Sequence, residues 1–268
     1  MQECLSACFF ARKSRATKTT KTKGDVDEGD DVALRVFPPY VVDYVRTQKM
    51  RSTADSESWR AVARTYDDVT VMFCDIVGFS PMCRDVDGMV VMGYLHAFYT
   101  MLDKALERYP SVYKVETIGD CIVCAAGLFG GDDDGHGHGH GHGHVSSPQA
   151  CARDVFDFAQ DAVALASTLR MPGGTARTSV RIGINTGCVT TGVVGLLMPR
   201  FTLFGNTVNA AARLQTSAKP GQVVISQATQ TLLLGDLRGV GEHHAARLDL
   251  KGIGEVCVQV YEGSREMT

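Results

Sequence analysis

The chain has 268 residues, enough for one or two domains with a sizeable core, and its 44% hydrophobic and 21% charged content excludes fibrous and wholly disordered classes. Twenty-seven basic residues against thirty acidic ones leave a formal charge of −3, so the overall balance gives no reason to expect nucleic acid as a partner. No apolar run reaches the roughly 18 residues of a membrane-spanning helix, and the segment Leu5 to Ala11 is short for a secretory signal and follows Glu3 rather than a basic start. Nine scattered cysteines, an odd number, fit a reducing compartment better than a disulfide framework, so the expected location is the cytoplasm or the cytosolic face of a membrane.

Residues 12–23 carry six Lys or Arg and residues 25–31 carry five Asp or Glu, with almost no apolar content between them. Residues 1–35 are therefore expected to be a disordered charged segment. Cys4 and Cys8 beside the basic run offer an alternative, an acylated membrane anchor; without it, membrane association would need a membrane partner. Pro38 and Pro39 precede a short amphipathic stretch, Tyr40 to Arg46, and residues 36–65 read as a linker with a lead-in helix. Residues 66–262 are expected to form the folded domain, and 263–268 a tail.

Val69 to Phe73 reads as a strand, and a glycine at 78 ends its signal. Val91, Leu95, Phe98 and Leu102 then share one helical face. Val112 to Val115 and Cys121 to Ala125 predict a hairpin with Glu116 and Asp120 on either side of its tip. Cys121 and Cys124, three apart on a strand, point to opposite faces and read as ordinary strand residues rather than a redox pair. Residues 130–147 form a low-complexity Gly/His insertion in which five histidines alternate with glycine. This is a loop, read as a tolerated surface insertion with divalent metal capture as the alternative. Val155 to Leu169 has helical periodicity up to Pro172, Val180 to Ile184 alternates as a strand, and Phe201 to Phe204 is a short strand before a helix from Thr207 to Ser217. Val223 to Ile225, Leu248 to Leu250 and Val256 to Tyr261 complete the set. Strands and helices alternating in this way predict an α/β (α+β) fold with a strand-helix-strand-strand-helix-strand core.

Asp75 and Asp120 each lie at the end of a strand signal beside a glycine, where two carboxylates across adjacent strands suit two hard divalent cations. Four strings follow in order: Asp75-Ile76-Val77-Gly78-Phe79-Ser80, Lys114 to Asp120, Phe204-Gly205-Asn206-Thr207-Val208-Asn209 through Arg213, and Lys251-Gly252-Ile253-Gly254. Together they resemble the class III nucleotidyl cyclases, the adenylate and guanylate cyclase family, from about Tyr66 to about Tyr261. The resemblance implies a ferredoxin-like βαββαβ core with a mixed sheet and flanking helices. It also implies attack of a nucleoside triphosphate's 3′-hydroxyl on its own α-phosphate, with loss of pyrophosphate.

By that resemblance Asp75, Asp120 and the Ile76 carbonyl hold two Mg2+ or Mn2+ ions per active site. The turn from Val77 to Ser80, with Gly78 and Phe79, cradles phosphate through its backbone N–H groups; Arg181 and Lys251 are phosphate cations. Asn209 orients the ribose, and Arg213 stabilises charge on the α-phosphate; their spacing of four puts both on one helical face. The family builds each site at a dimer interface. A homodimer with two sites is expected, with a heterodimer as the variant, and GTP or ATP is the substrate.

The base-selectivity positions fall on Glu116 and Thr202. A carboxylate at Glu116 accepts from guanine N1–H and the N2 amine but faces a bare acceptor in adenine. Thr202 departs from the cysteine usual in guanylate cyclases and is neutral, because a hydroxyl both donates and accepts. The run Met198-Pro199-Arg200-Phe201-Thr202-Leu203-Phe204-Gly205 resembles the guanylate cyclase string, and Arg200 buttresses Glu116 or donates to guanine O6. The expected function is a guanylate cyclase in cyclic-nucleotide signalling. The alternatives are an adenylate cyclase and a non-catalytic nucleotide-binding partner subunit. A polymerase-palm-like transferase would also use two aspartates, but it leaves Glu116, Asn209 and Arg213 unexplained.

Overall fold

A computed structural model of the chain describes residues 37–38, 40–42, 62–129, 146–195, 199–233 and 243–262. The charged N-terminal segment with Cys4 and Cys8, much of the 36–65 lead-in, nearly all of the Gly/His insertion and the 263–268 tail lie outside the described residues. The chain divides into two compact units, Met1–Thr65 with Thr190–Leu203, and Tyr66–Val189 with Phe204–Thr268.

In the smaller unit Phe37, Val41, Val42 and Val62 are buried. The Tyr40 hydroxyl donates to the Val62 carbonyl (3.2 Å), its ring lies under the Arg64 guanidinium (4.2 Å), and its edge meets Phe201 at 6.4 Å between centroids.

In chain order the elements are strand β1 (Arg64–Ile76), which enters the larger unit at Tyr66, helices α1 (Phe79–Asp85) and α2 (Gly88–Leu106), and the hairpin β2 (Val112–Ile118) and β3 (Cys121–Ala126). Helix α3 (Pro148–Ala166) leads to β4 (Val180–Val194), and β5 (Arg200–Phe204) precedes α4 (Asn206–Ser217). Then come β6 (Gln222–Ser226), α5 (Gln227–Leu233), β7 (His243–Leu250) and β8 (Gly254–Glu262). The strands form one mixed sheet in the order β2-β3-β1-β4-β6-β8-β7, with β5 attached to β4. The segment β1-α2-β2-β3-α3-β4 is the strand-helix-strand-strand-helix-strand core expected from the sequence.

Local chemistry sets the helix starts. The Asp87 side chain accepts from Met89 N (2.9 Å) and Ser147 from Ala150 N (3.2 Å), each satisfying an N–H that has no intrahelical acceptor; Pro148 adds a fixed φ at the first turn of α3. One sheet face is covered by α2 and α3. There Met72, Cys74 and Ile76 of β1, Ile122, Cys124 and Ala126 of β3 and Val180, Ile182 and Ile184 of β4 pack with Phe98, Leu102, Val155, Phe158 and Ala162. On the opposite face Leu214 of α4 and Ala218, which caps that helix, pack on Val224, Leu250, Val258 and Val260.

Several elements differ from the sequence expectation. β1 starts at Arg64 rather than Val69, and β4 runs on to Val194 rather than ending at Ile184. Neither α1 nor α5 is anticipated, because a seven-residue helix is too short to develop a period. Cys121 and Cys124 do point to opposite faces: Cys124 is buried under the helices and Cys121 is partly exposed. Burial pushes both thiols up to about 12, so neither is a thiolate at neutral pH.

The seat of α4 on β4 is tighter than side-chain packing allows. A Cβ added at Gly183 would lie 2.1 Å from Gln215 N and 2.4 Å from Ala211 O, both backbone atoms that cannot swing aside. Gly183→Ala is therefore expected to destabilise the protein by about 3 kcal/mol, the severe end of overpacking. Gly93→Ala, at an exposed position of α2 with no atom within 4 Å of the added Cβ, should instead gain about 0.5 to 1 kcal/mol. Urea unfolding of both variants measures the contrast, and a Gly183→Ala as stable as wild type would disprove the contact.

Candidate active site

β1 and β3 run antiparallel with Asp75 opposite Cys121, which brings Asp120, in the two-residue turn Gly119–Asp120, beside the Asp75 carboxylate. Residues 72, 74 and 76 point under the helices, so Asp75 points to the other face of the sheet. Arg181 of β4 is there too. Its Nε and Nη2 both donate to Asp75 Oδ2, at 2.9 and 2.8 Å.

Burial and the adjacent Asp75 push the Asp120 carboxyl up to about 6, against some relief from Arg181. The cause is two carboxylates sharing one partly desolvated site, with Arg181 the cation beside them among the described residues. Such a pair is an all-oxygen donor set suited to Mg2+ or Mn2+. Among the described residues no group of three His, Cys, Asp or Glu could hold a metal ion. An ion on Asp75 and Asp120 would thus take its remaining ligands from backbone such as the Ile76 carbonyl, from water and from phosphate, as Mg2+ commonly does.

After β1 the chain turns at Gly78, whose φ of +78° is left-handed. A Cβ there meets nothing within 4 Å, so the backbone angle and not space calls for glycine. The four-residue cradle expected from Val77 to Ser80 is smaller than its sequence suggests, because Val77 N is committed to Ser179 O at 2.9 Å. Phe79 opens α1 and packs against the helix-side core.

Asn209, Arg213 and Lys251 converge elsewhere. With Asn185, Thr207 and Ile253 they line a pocket of about 640 Å³. Asn209 and Arg213 project from α4, Lys251 sits in the β7–β8 turn closed by Ile253 N donating to Leu250 O (2.9 Å), and Asn185 Nδ2 donates to Thr207 O (3.1 Å) at the helix start. This pocket and the carboxylates are separate. Arg181 and Asn185 are four residues apart on β4, about 13 Å along a strand, and between them Gly183 carries the α4 backbone.

The sequence expectation places Glu116 at the hairpin tip, but it lies within β2. The register between β2 and β3 slips after Lys114: Lys114 pairs with Cys124 and Glu116 with Val123. Val115 is thus an extra residue, a bulge, and it breaks the rule that residues two apart share a face. Lys114 turns under the helices, where its Nζ meets Asp103 Oδ1 of α2 at 2.6 Å and the Tyr99 ring at 5.5 Å. Glu116 turns to the face of Asp75. Arg200 and Thr202 are on β5, with Arg200 exposed and Thr202 half-buried.

Residues 61–262 match the family described as the adenylate and guanylate cyclase catalytic domain. The chain belongs to that family. Guanylate cyclase D of Mus musculus is 34% identical over 223 residues, covering 82% of this chain but 18% of its own length, so the chain spans about a fifth of that relative. Among solved structures, the guanylate cyclase domain of RhGC from Catenaria anguillulae in complex with GTP is similar at TM-score 0.63 and 28% identity, over 75% of this chain and all of that one. The catalytic core of a rhodopsin-guanylyl cyclase with converted specificity, in complex with ATPαS, is similar at TM-score 0.62 and 28% identity, over 75% of this chain and 98% of that one.

The raised Asp120 carboxyl yields a pH signature in the metal-free protein. A group whose folded value, about 6, exceeds its ordinary value of 3.8 binds protons more tightly when folded, so its ionisation destabilises the fold progressively from about pH 4 to about pH 6 and fully above. Asp120→Asn should raise the melting temperature in chelator at pH 8, and the gain should fade as the pH falls through 6 and vanish near 4. A gain independent of pH, or a loss at pH 8, would contradict the shared-site geometry.

Proposed function

We propose that this chain is a guanylate cyclase domain that converts GTP to 3′,5′-cyclic GMP and pyrophosphate, with each active site completed by a second copy. The observation that carries this reading is the seat of α4 on Gly183, which divides the ionic residues of one chain into two groups. A triphosphate cannot pass through a contact that excludes a Cβ. In this reading the carboxylate group of one copy faces the Asn209, Arg213 and Lys251 pocket of another, and in a two-fold dimer this happens twice.

In this arrangement Asn209 accepts and donates hydrogen bonds at the ribose and holds the 3′-hydroxyl in line with the α-phosphate. Arg213 stabilises the negative charge that grows on the α-phosphate oxygens, and Lys251 holds the terminal phosphates. The α1 start beyond Gly78 offers N–H groups without intrahelical acceptors. The 3′-oxygen forms a bond to the α-phosphorus as the bond to the bridging pyrophosphate oxygen breaks, and the 3′-proton is lost to solvent. Two Mg2+ or Mn2+ ions at Asp75, Asp120 and the Ile76 carbonyl would supply charge neutralisation at the 3′-oxygen and the departing phosphates when bound. Arg181, which pairs with Asp75 in this structure, is the phosphate cation of the reading, and its guanidinium would be available for that role when Asp75 holds a metal ion.

Glu116 supports guanine as the base. Its carboxylate accepts from N1–H and the N2 amine, while the Thr202 hydroxyl donates to O6, with Arg200 beside it on β5.

Two experiments test this. Mixing Asp75→Ala chains with Arg213→Ala chains, each inactive alone, should restore about a quarter of wild-type activity, because half the dimers are mixed and each has one intact site. Mixtures no more active than either parent, under conditions shown to exchange subunits, would rule out shared sites. Wild-type protein should prefer GTP, and Glu116→Lys with Thr202→Asp should shift preference toward ATP by about 10³-fold, as each reversed contact costs about 1 to 3 kcal/mol. Faster turnover of ATP than GTP by the wild type would replace the guanylate reading with the adenylate one.

A further inference from the structure

The turn that carries Asp120 is held from outside its own hairpin. Tyr99, on α2, donates its hydroxyl to the Gly119 carbonyl at 2.7 Å and lies 3.4 Å from the Cys121 carbonyl. These are the residues immediately before and after Asp120. The first distance is that of a good hydrogen bond, and the second is a weaker supplementary contact. Desolvation, together with the nearby negative charge of Asp120 and Asp75, raises the Tyr99 hydroxyl well above its ordinary value, so it stays a donor at any working pH.

The ring is fixed as firmly as the hydroxyl. Phe98 meets it edge-on at 5.5 Å between centroids, and the Lys114 ammonium stands 5.5 Å from its centroid. Lys114 is itself tied to Asp103, one helical turn further along α2. The bulge at Val115 turns Lys114 to this side, so Asp103, Lys114, Tyr99 and Gly119 form a continuous bracket between α2 and the hairpin tip.

Such a bracket answers a specific problem. Asp120 sits beside a like charge and follows a glycine in left-handed conformation (φ +64°), so both repulsion and backbone freedom favour swinging its carboxylate away from Asp75. We propose that Tyr99 is a positioning residue for Asp120, holding the turn so that both carboxylates present oxygen to the same cation. The inference rests on the reading of Asp75 and Asp120 as the metal site.

Manganese binding by the full chain, read as free Mn2+ by electron paramagnetic resonance in the presence of 2′,3′-dideoxy-GTP, tests it without turnover. Tyr99→Phe keeps the ring and removes the hydroxyl, and its dissociation constant for Mn2+ should rise about tenfold, the scale for groups that orient a metal ligand. Leu102→Val, which weakens the packing of the same helix at a fully buried position with no part in the bracket, should leave Mn2+ affinity near wild type. A Tyr99→Phe protein that binds Mn2+ like wild type overturns the inference, as does an equal loss in Leu102→Val, which would make the effect one of general stability. Asp120→Ala separates the two levels: if it retains wild-type Mn2+ affinity, the metal-site reading fails, and if it loses affinity while Tyr99→Phe does not, only the bracket fails. Should Tyr99→Phe not fold, Lys114→Gln decides, with weakened Mn2+ binding supporting the bracket and wild-type binding overturning it.

Discussion

The closeness of α4 to β4 is the constraint on which the rest of this molecule depends. At Gly183 the two backbones meet with no room for a side chain, and this contact fixes where Asn209 and Arg213 emerge. It also stands between them and Arg181, two residues back on β4, which binds Asp75 of the neighbouring β1. A helix on a sheet ordinarily rests on interlocking side chains and can slide by a fraction of a turn. Here the backbone itself is the bearing surface, and the hydrophobic contacts of Leu214 and Ala218 act as a clamp.

The carboxylate pair shows the opposite economy. Asp75 and Asp120 are brought together against their mutual repulsion, and Arg181 offsets only part of it. A fold selected for stability alone would replace one of them. Holding an unfavourable pair in place is what the proposed cation site would require before a cation arrives, because reorganisation at the moment of binding would weaken affinity. The stabilising groups stand on the α2 side of the sheet: the Tyr99, Lys114 and Asp103 bracket at its surface, and the core around Phe98 beneath the helix.

Much of this was legible in the sequence because it is written in local patterns. The stripe Val91, Leu95, Phe98 and Leu102 gave α2, and the alternation of Val180, Ile182 and Ile184 gave the start of β4. Three things were not legible, each for a physical reason. β1 and β4 outrun their apolar alternation because strand length is set by pairing partners rather than by composition alone. The bulge at Val115 leaves no mark on the hydrophobic pattern, since it is a property of the register with β3. Tyr99 was invisible for a third reason. It lies off the buried stripe, and only the fold shows that a hairpin turn comes within reach of its hydroxyl. Asp75, Asp120, Asn209 and Arg213 stood out through motif resemblance, yet their division by α4 needed coordinates.

The bulge has a consequence for how such a domain can diversify. Without it, Lys114 and Glu116 would project side by side, and any change at Glu116 would be felt by the lysine that braces Tyr99. One extra residue sends them to opposite faces, so the two positions become separately adjustable. Position 114 is bound by Asp103 and Tyr99, while position 116 stands on the other face of the hairpin. A substitution at Glu116 can therefore alter that face without disturbing the bracket that holds the turn of Asp120.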